Sequence, residues 1–205
     1  MRRPVLVTAL CLAASPGVHA QDTYDPLEDY EPVASAGVLE APKAVAETAD
    51  AQAIIDQGAY LVELLGCGAC HTDGALIGQP NYDRALAGSS VGIAFSNPLK
   101  DAFPSIVYPA NLTPDKETGI GNWSETQIKR AIQHGVDSEG NQQLPVMPWG
   151  AYRRLKESDV SAIASYLLSL EPVSHRVPDN VVRGKPSEGA RYVHFGVYMS
   201  RDAAE

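Results

Sequence analysis

Apolar positions recur at helical spacing in three stretches of the chain. Ile54, Ile55, Ala59, Leu61, Val62 and Leu65 fall on one side of a helix predicted over 49–65, with Asp50 as its N-cap and Gly66 as its stop. Ser124-Glu125-Thr126-Gln127 reads as a capping box, Ser124 capping and Gln127 reaching back. The helix it opens continues through Ile128, Ala131 and Ile132 to Gly135. A last helix, capped by Ser158, carries Val160, Ile163, Ala164, Leu167 and Leu168 until Glu171-Pro172 ends it. Between the first two helices, 72–109 is rich in Gly, Pro, Asn and Ser without a sustained period, which predicts loop with short helical turns. Asn111-Leu112-Thr113-Pro114-Asp115 is a turn, and 140–150 is a second loop. Near the end, Val193, Phe195, Val197 and Met199 alternate with His194, Gly196 and Tyr198, the period of a strand with one apolar face. A lone strand is unstable, so it must lie on the domain or on a partner. No stretch repeats another.

The two ends change the picture. Met1-Arg2-Arg3, an apolar run over 5–14 and the exit Val18-His19-Ala20 have the form of a cleavable export signal, predicted over 1–20. The run is about half of the roughly 20 apolar residues that a membrane span needs. Residues 21–50 hold eight acids and one lysine, with Tyr24, Tyr30, Pro26 and Pro32 interleaved. That composition predicts a solvated, disordered arm, with an acidic docking tail as the sharper alternative. Residues 173–205 form a C-terminal extension of nearly balanced charge. Loss of Arg2 and Arg3 with the signal takes the formal net charge of the 205-residue chain from −9 to −11. So acidic a surface argues against nucleic acid and anionic lipid, and for basic protein partners or simple solubility. No segment of the mature chain is long and apolar enough to be expected to span a membrane.

Export also sharpens the cysteine count. Cys11 leaves with the signal, so the mature chain keeps Cys67 and Cys70, inside Cys67-Gly68-Ala69-Cys70-His71. Cys-x-x-Cys-His is the pattern for covalent haem. Two thiols add across the vinyl groups, and the adjacent His places its imidazole under the iron. A thioredoxin-like redox pair is the competing reading, but it does not require the His and expects a βαβ setting. A zinc site would need two more ligands near by, and no further cysteine exists.

The second axial ligand sets the chemistry. With Met1 removed, Met147 and Met199 remain. Met147 stands between Pro145 and Pro148, which stiffen a loop so that a thioether can be held against iron. A methionine elsewhere would more often fill a core. His134, His175 and His194 are the candidates for a bis-His site. Met/His ligation fills both axial positions, disfavours binding of O₂ or peroxide and leaves electron transfer.

The chain resembles the class I cytochrome c family, and in particular the monohaem cytochrome c domains found with bacterial periplasmic dehydrogenases. The likeness rests on Gly58-Ala59-Tyr60-Leu61-Val62, the Cys67-to-His71 motif, Asn111-Leu112-Thr113-Pro114-Asp115, Gly119-Ile120-Gly121-Asn122-Trp123, Met147-Pro148 and the Tyr166-Leu167 helix. It covers roughly 50–172, read as a cytochrome c domain over 51–172. The resemblance implies an all-α fold whose N- and C-terminal helices cross around one covalent haem c, with irregular loops and extended terminal arms. The crossing would join Gly58 and Tyr60 to Ile163, Tyr166 and Leu167, a glycine allowing close approach. It implies an exposed haem edge, and Asn111, Trp123, Trp149 and Tyr152 as pocket candidates. An apparent insertion over 83–105 and the two arms have no counterpart in the minimal family pattern.

The expected function is single-electron transfer in the periplasm, as a carrier or as a non-catalytic cytochrome subunit of an oxidoreductase or respiratory complex. Its partners would be redox proteins such as a dehydrogenase or a quinol-oxidising complex. Two other classes stand beside it. A peroxidase or sulfur-compound oxidase is one, although peroxidases of this kind use two haems and there is one motif. A redox or gas sensor is the other, and it would need Met147 to leave the iron.

Overall fold

The helical frame forms where the periodicity is strongest. The computed structural model describes residues 39–95, 103–186 and 189–195. Helix α1 (Ala49–Leu64) is capped by Thr48, whose hydroxyl accepts from the Ala51 N–H. Asp50, the expected cap, sits instead in the first turn, where its charge favours the positive end of the helix dipole. Ile55, Gly58, Leu61 and Val62 are the buried face. Helix α5 (Glu157–Leu168) buries Val160, Ala162, Ile163, Ala164, Tyr166 and Leu167. It starts one residue before the expected Ser158 cap, from Lys156, which makes no side-chain capping bond.

The two helices pack at Gly58. A Cβ there would run into the Ala162 carbonyl and the Tyr166 Cβ, so only glycine lets the backbones come this close. Tyr166 is wholly buried, and its hydroxyl donates to the Pro42 carbonyl at 2.7 Å. Tyr60, expected at the crossing, is 58% exposed and points away from it, as does the half-exposed Ile54. Helix α3 (Glu125–His134) opens on the expected Ser124–Gln127 capping box and stops at Gly135, φ 63°. Lys129 ties α3 to α5 by bridging Glu125 and Glu157.

Residues 39–48, assigned from sequence to the disordered arm, lie against this frame. Ala41, Ala44 and Ala46 pack on the main core, and the Ala46 N–H bonds the Gln52 side chain at 2.8 Å. Residues 21–38 and the export signal lie outside the described residues.

The all-α expectation needs correction. The segment predicted as loop contains two strands, β1 (Gly92–Phe95) and β2 (Ile106–Val107), and the tail supplies β3 (Tyr192–Phe195). They form one sheet in the order β2-β1-β3, β1 antiparallel to β2 and parallel to β3. The protein is mostly helical with a small mixed sheet. The tail strand thus finds its pairing on the domain itself, at residues 192–195; Val197 and Met199 lie outside the described residues. No helix among the described residues is long and apolar enough to cross a membrane.

Candidate functional site

Cys67, Cys70 and His71 sit on one short helix, α2 (Cys67–His71), entered through Gly66 in the left-handed conformation, φ 70°. That turn lets α2 leave α1 sharply, which an L side chain at Gly66 would resist. Both thiols are free and half-buried. Burial pushes the Cys67 thiol up to about 11, against its own backbone hydrogen bond, with Cys70 adding to the rise. Burial also raises the Cys70 thiol. The two sulfurs face different surroundings. Cys67 packs against the helical core, whereas Cys70 packs against a cluster of Val91, Ile93 and Val193.

His71 is held from behind. Its Nδ1–H donates to the Ala110 carbonyl at 2.7 Å, which fixes the tautomer and leaves Nε2 with a free lone pair. Burial lowers its pKa, outweighing the opposite pull of that carbonyl, so the neutral imidazole is favoured. The backbone of 86–88 braces the main chain at His71 and is itself tied to 110–112: the Gly88 N–H bonds the His71 carbonyl at 2.8 Å, and the Leu112 N–H bonds the Leu86 carbonyl at 2.8 Å. Leu86, buried, has φ 58°, a conformation uncommon outside glycine, and Thr72 Oγ1 accepts from its N–H at 3.1 Å. Thr72 and Leu86 were missed from the sequence, where Thr72 carried no signal beyond adjacency to the motif and Leu86 carried none.

Met147 is half-buried in the loop before helix α4 (Trp149–Tyr152), a helix the sequence did not predict. Val146 packs on the same cluster as Cys70, which brings this loop to the Cys70 side of the motif. Tyr152 reaches the motif from α4. Its hydroxyl donates to the Leu65 carbonyl at 3.2 Å, and its pKa is pushed up to about 12 by burial and by the two thiols. Trp149 lies over Gly135, where a Cβ would strike the indole, and Arg153 stands 5.7 Å from its ring. Its Nε1–H is the one buried side-chain nitrogen or oxygen among the described residues without a partner. Trp123 is half-buried against the helical core.

Asn111 does something else. Its amide donates to Thr118 Oγ1 and the Val173 carbonyl, and its oxygen accepts from the Thr113 N–H and hydroxyl. All four of its bonding positions are used, so no donor remains for a cofactor. It pins the start of the C-terminal segment. His175 is also engaged at both ring nitrogens, by Ala87 and Arg84, and His134 is exposed at the end of α3. His194 lies on β3, its ring tilted against Tyr192. Met199 lies outside the described residues.

Two free thiols three apart, a neutral imidazole with one nitrogen already anchored, and an orphaned indole N–H on the nearby helix fit a haem c. Among the described residues no group of three His, Cys, Asp or Glu could hold a bare metal ion instead.

No protein-family model matches the chain. It is similar to the fructose dehydrogenase cytochrome subunit of Gluconobacter japonicus, 36% identical over 125 residues, covering 60% of this chain and 23% of that one. With the cytochrome c subunit of the quinone alcohol dehydrogenase of Gluconacetobacter polyoxogenes it shares 34% over 143 residues, covering 69% and 27%. It is 31% identical over 138 residues to the gluconate 2-dehydrogenase cytochrome c subunit of Pantoea cypripedii, covering 67% and 28%. The chain therefore spans about a quarter of the length of these curated relatives. The likeness is to cytochrome subunits of dehydrogenases.

Proposed function

We propose that the chain is a one-electron carrier domain, a monohaem cytochrome c of the class I kind that serves a dehydrogenase as its non-catalytic cytochrome. Cys67 and Cys70 would hold the porphyrin through thioethers, and His71 and Met147 would ligate its iron. When bound, haem supplies a one-electron couple. The chain's residues do the rest. Ala110 orients the His71 ring, Gly88 holds the His71 main chain, and the loop with Met147 would bring the second ligand from the Cys70 side. Trp149 Nε1–H would be free to donate to a propionate, and Tyr152 fastens α4 to the Leu65 carbonyl beside the motif. The observation that carries the reading is the Nδ1–H bond from His71 to Ala110 beside two free thiols.

Export to the periplasm, cleavage after Ala20 and a redox-protein partner belong to the same proposal. It is supported by the likeness to dehydrogenase cytochrome subunits. The test is the oxidised spectrum of Met147→Ala. Loss of a methionine-to-iron band with a lower potential is expected, because a neutral thioether has been replaced. An unchanged band moves the ligand to Met199 or a histidine.

A further inference from the structure

Two stretches lie outside the helical frame: the insert that carries β1 and β2, and the segment after α5 that ends in β3. They meet, because β3 pairs with β1 from Gly92↔Tyr192 to Phe95↔Phe195. Alternate residues of a strand face opposite sides. One face carries Ile93 and Val193, buried with Val91, and packed against them are Cys70, Leu76, Ile77 and Val146. The other face carries Ala94 and Tyr192, which pack with Ile106, Tyr108, Val177 and Val181. The sheet thus turns one apolar face to the second thiol of the motif and to the residue preceding Met147.

We infer that this face is the outer wall of the haem crevice on the Cys70 side, with Ile93 and Val193 as site residues supplied by the insert and the C-terminal segment. The inference rests on the haem reading above. The segment is fastened in three places behind His71. Asn111 and Thr113 hold Val173, His175 bonds the Ala87 carbonyl, and Val177 fills the space that a Cβ on Gly88 would need. The Gly88 N–H in turn holds the His71 carbonyl, so wall and ligand share one support. An apolar wall excludes water and lowers the local dielectric, which disfavours the extra positive charge of the oxidised iron. Its effect is to raise the reduction potential.

The test uses the haem-loaded full chain, Val193→Thr, Val181→Thr and a chain ending at 186. Threonine keeps the shape of valine and adds a hydroxyl. Val193→Thr is expected to lower the midpoint, so that the reduced-to-oxidised ratio at the wild-type midpoint falls about threefold or more. The shortened chain is expected to show about a tenfold fall, or ~59 mV for a one-electron couple. Val181→Thr, the same change on the opposite face, is expected to leave the midpoint in place. Equal shifts in the two threonine variants, no shift in Val193→Thr, or a shift accompanied by loss of the methionine-to-iron band overturns the wall. Absence of covalent haem from the wild type on a denaturing gel overturns the haem reading itself, before any potential is measured.

Discussion

Along α1 and α5 the buried residues follow helical spacing within short stretches, and they meet at one glycine. In the sheet, Gly92 pairs with Tyr192, a hundred positions further along the chain. The helical half packs a continuous core around Tyr166, Ile163 and Val62, whereas the sheet half splits into two small clusters on opposite faces. The candidate site lies at the seam, Cys67 on the helical side and Cys70 on the sheet side. Both halves join distant parts of the chain, Gly58 to Ala162 in one and Gly92 to Tyr192 in the other. The difference teaches that the helices announce themselves locally by their spacing, whereas the strands do not.

The largest expected effect breaks the seam itself. Replacing both Cys67 and Cys70 by alanine is expected to leave no haem on the denatured protein, read by haem staining after gel electrophoresis. Retained stain would show that the attachment is elsewhere.

Next is the helical side. Gly58→Val is expected to destabilise by about 1–3 kcal/mol through overpacking against Ala162 and Tyr166, read as a lower denaturant midpoint. A valine tolerated there without loss would mean that the helices are not in close contact.

On the sheet side, Asn111→Ala leaves the buried Thr113 N–H without its partner and takes from the Val173 carbonyl the shorter of its two hydrogen bonds, at about 1–3 kcal/mol. Earlier proteolytic cleavage after α5 is expected, with the oxidised spectrum unchanged. A changed spectrum would return Asn111 to the cofactor pocket.

The smallest effect concerns acid. Burial works against the Asp137 carboxylate, but hydrogen bonds from the Asn141 N–H and side chain and from the Glu139 N–H outweigh it and hold its pKa below the usual range. A depressed carboxylate contributes stability above its unfolded value of about 3.9, and that stability is lost as pH falls through the lower folded value. The loop over 137–141 is therefore expected to loosen below about pH 4, and Asp137→Asn to remove that step from amide exchange. An identical acid profile in the variant would assign the step to another group.

These elements also show how much was legible. The capping box at Ser124 and the stop at Gly135 were readable because each depends on residues within one or two turns, whereas the close approach at Gly58 to Ala162 was an expectation from the family resemblance. The Cys67-to-His71 motif stood out because its spacing is the one that thioether attachment of haem would require. Strands β1 and β2 were not readable, since Gly92, Ile93 and Ala94 are buried on both faces and Gly92-Ile93-Ala94-Phe95 shows no apolar–polar alternation. Asn111 was read as a pocket residue on the family resemblance, and only its bonds to Val173 and Thr118 show what it holds. Thr48 displaced Asp50 as a cap because either residue type caps a helix, and sequence alone does not choose between positions two apart.

The central claim is covalent haem at the seam, and the most direct measurement is mass spectrometry of the peptide spanning Cys67 and Cys70 from the exported, acid-acetone-washed protein. The account predicts one haem joined to that peptide through both sulfurs. A peptide carrying free thiols, or a disulfide between them, would contradict it.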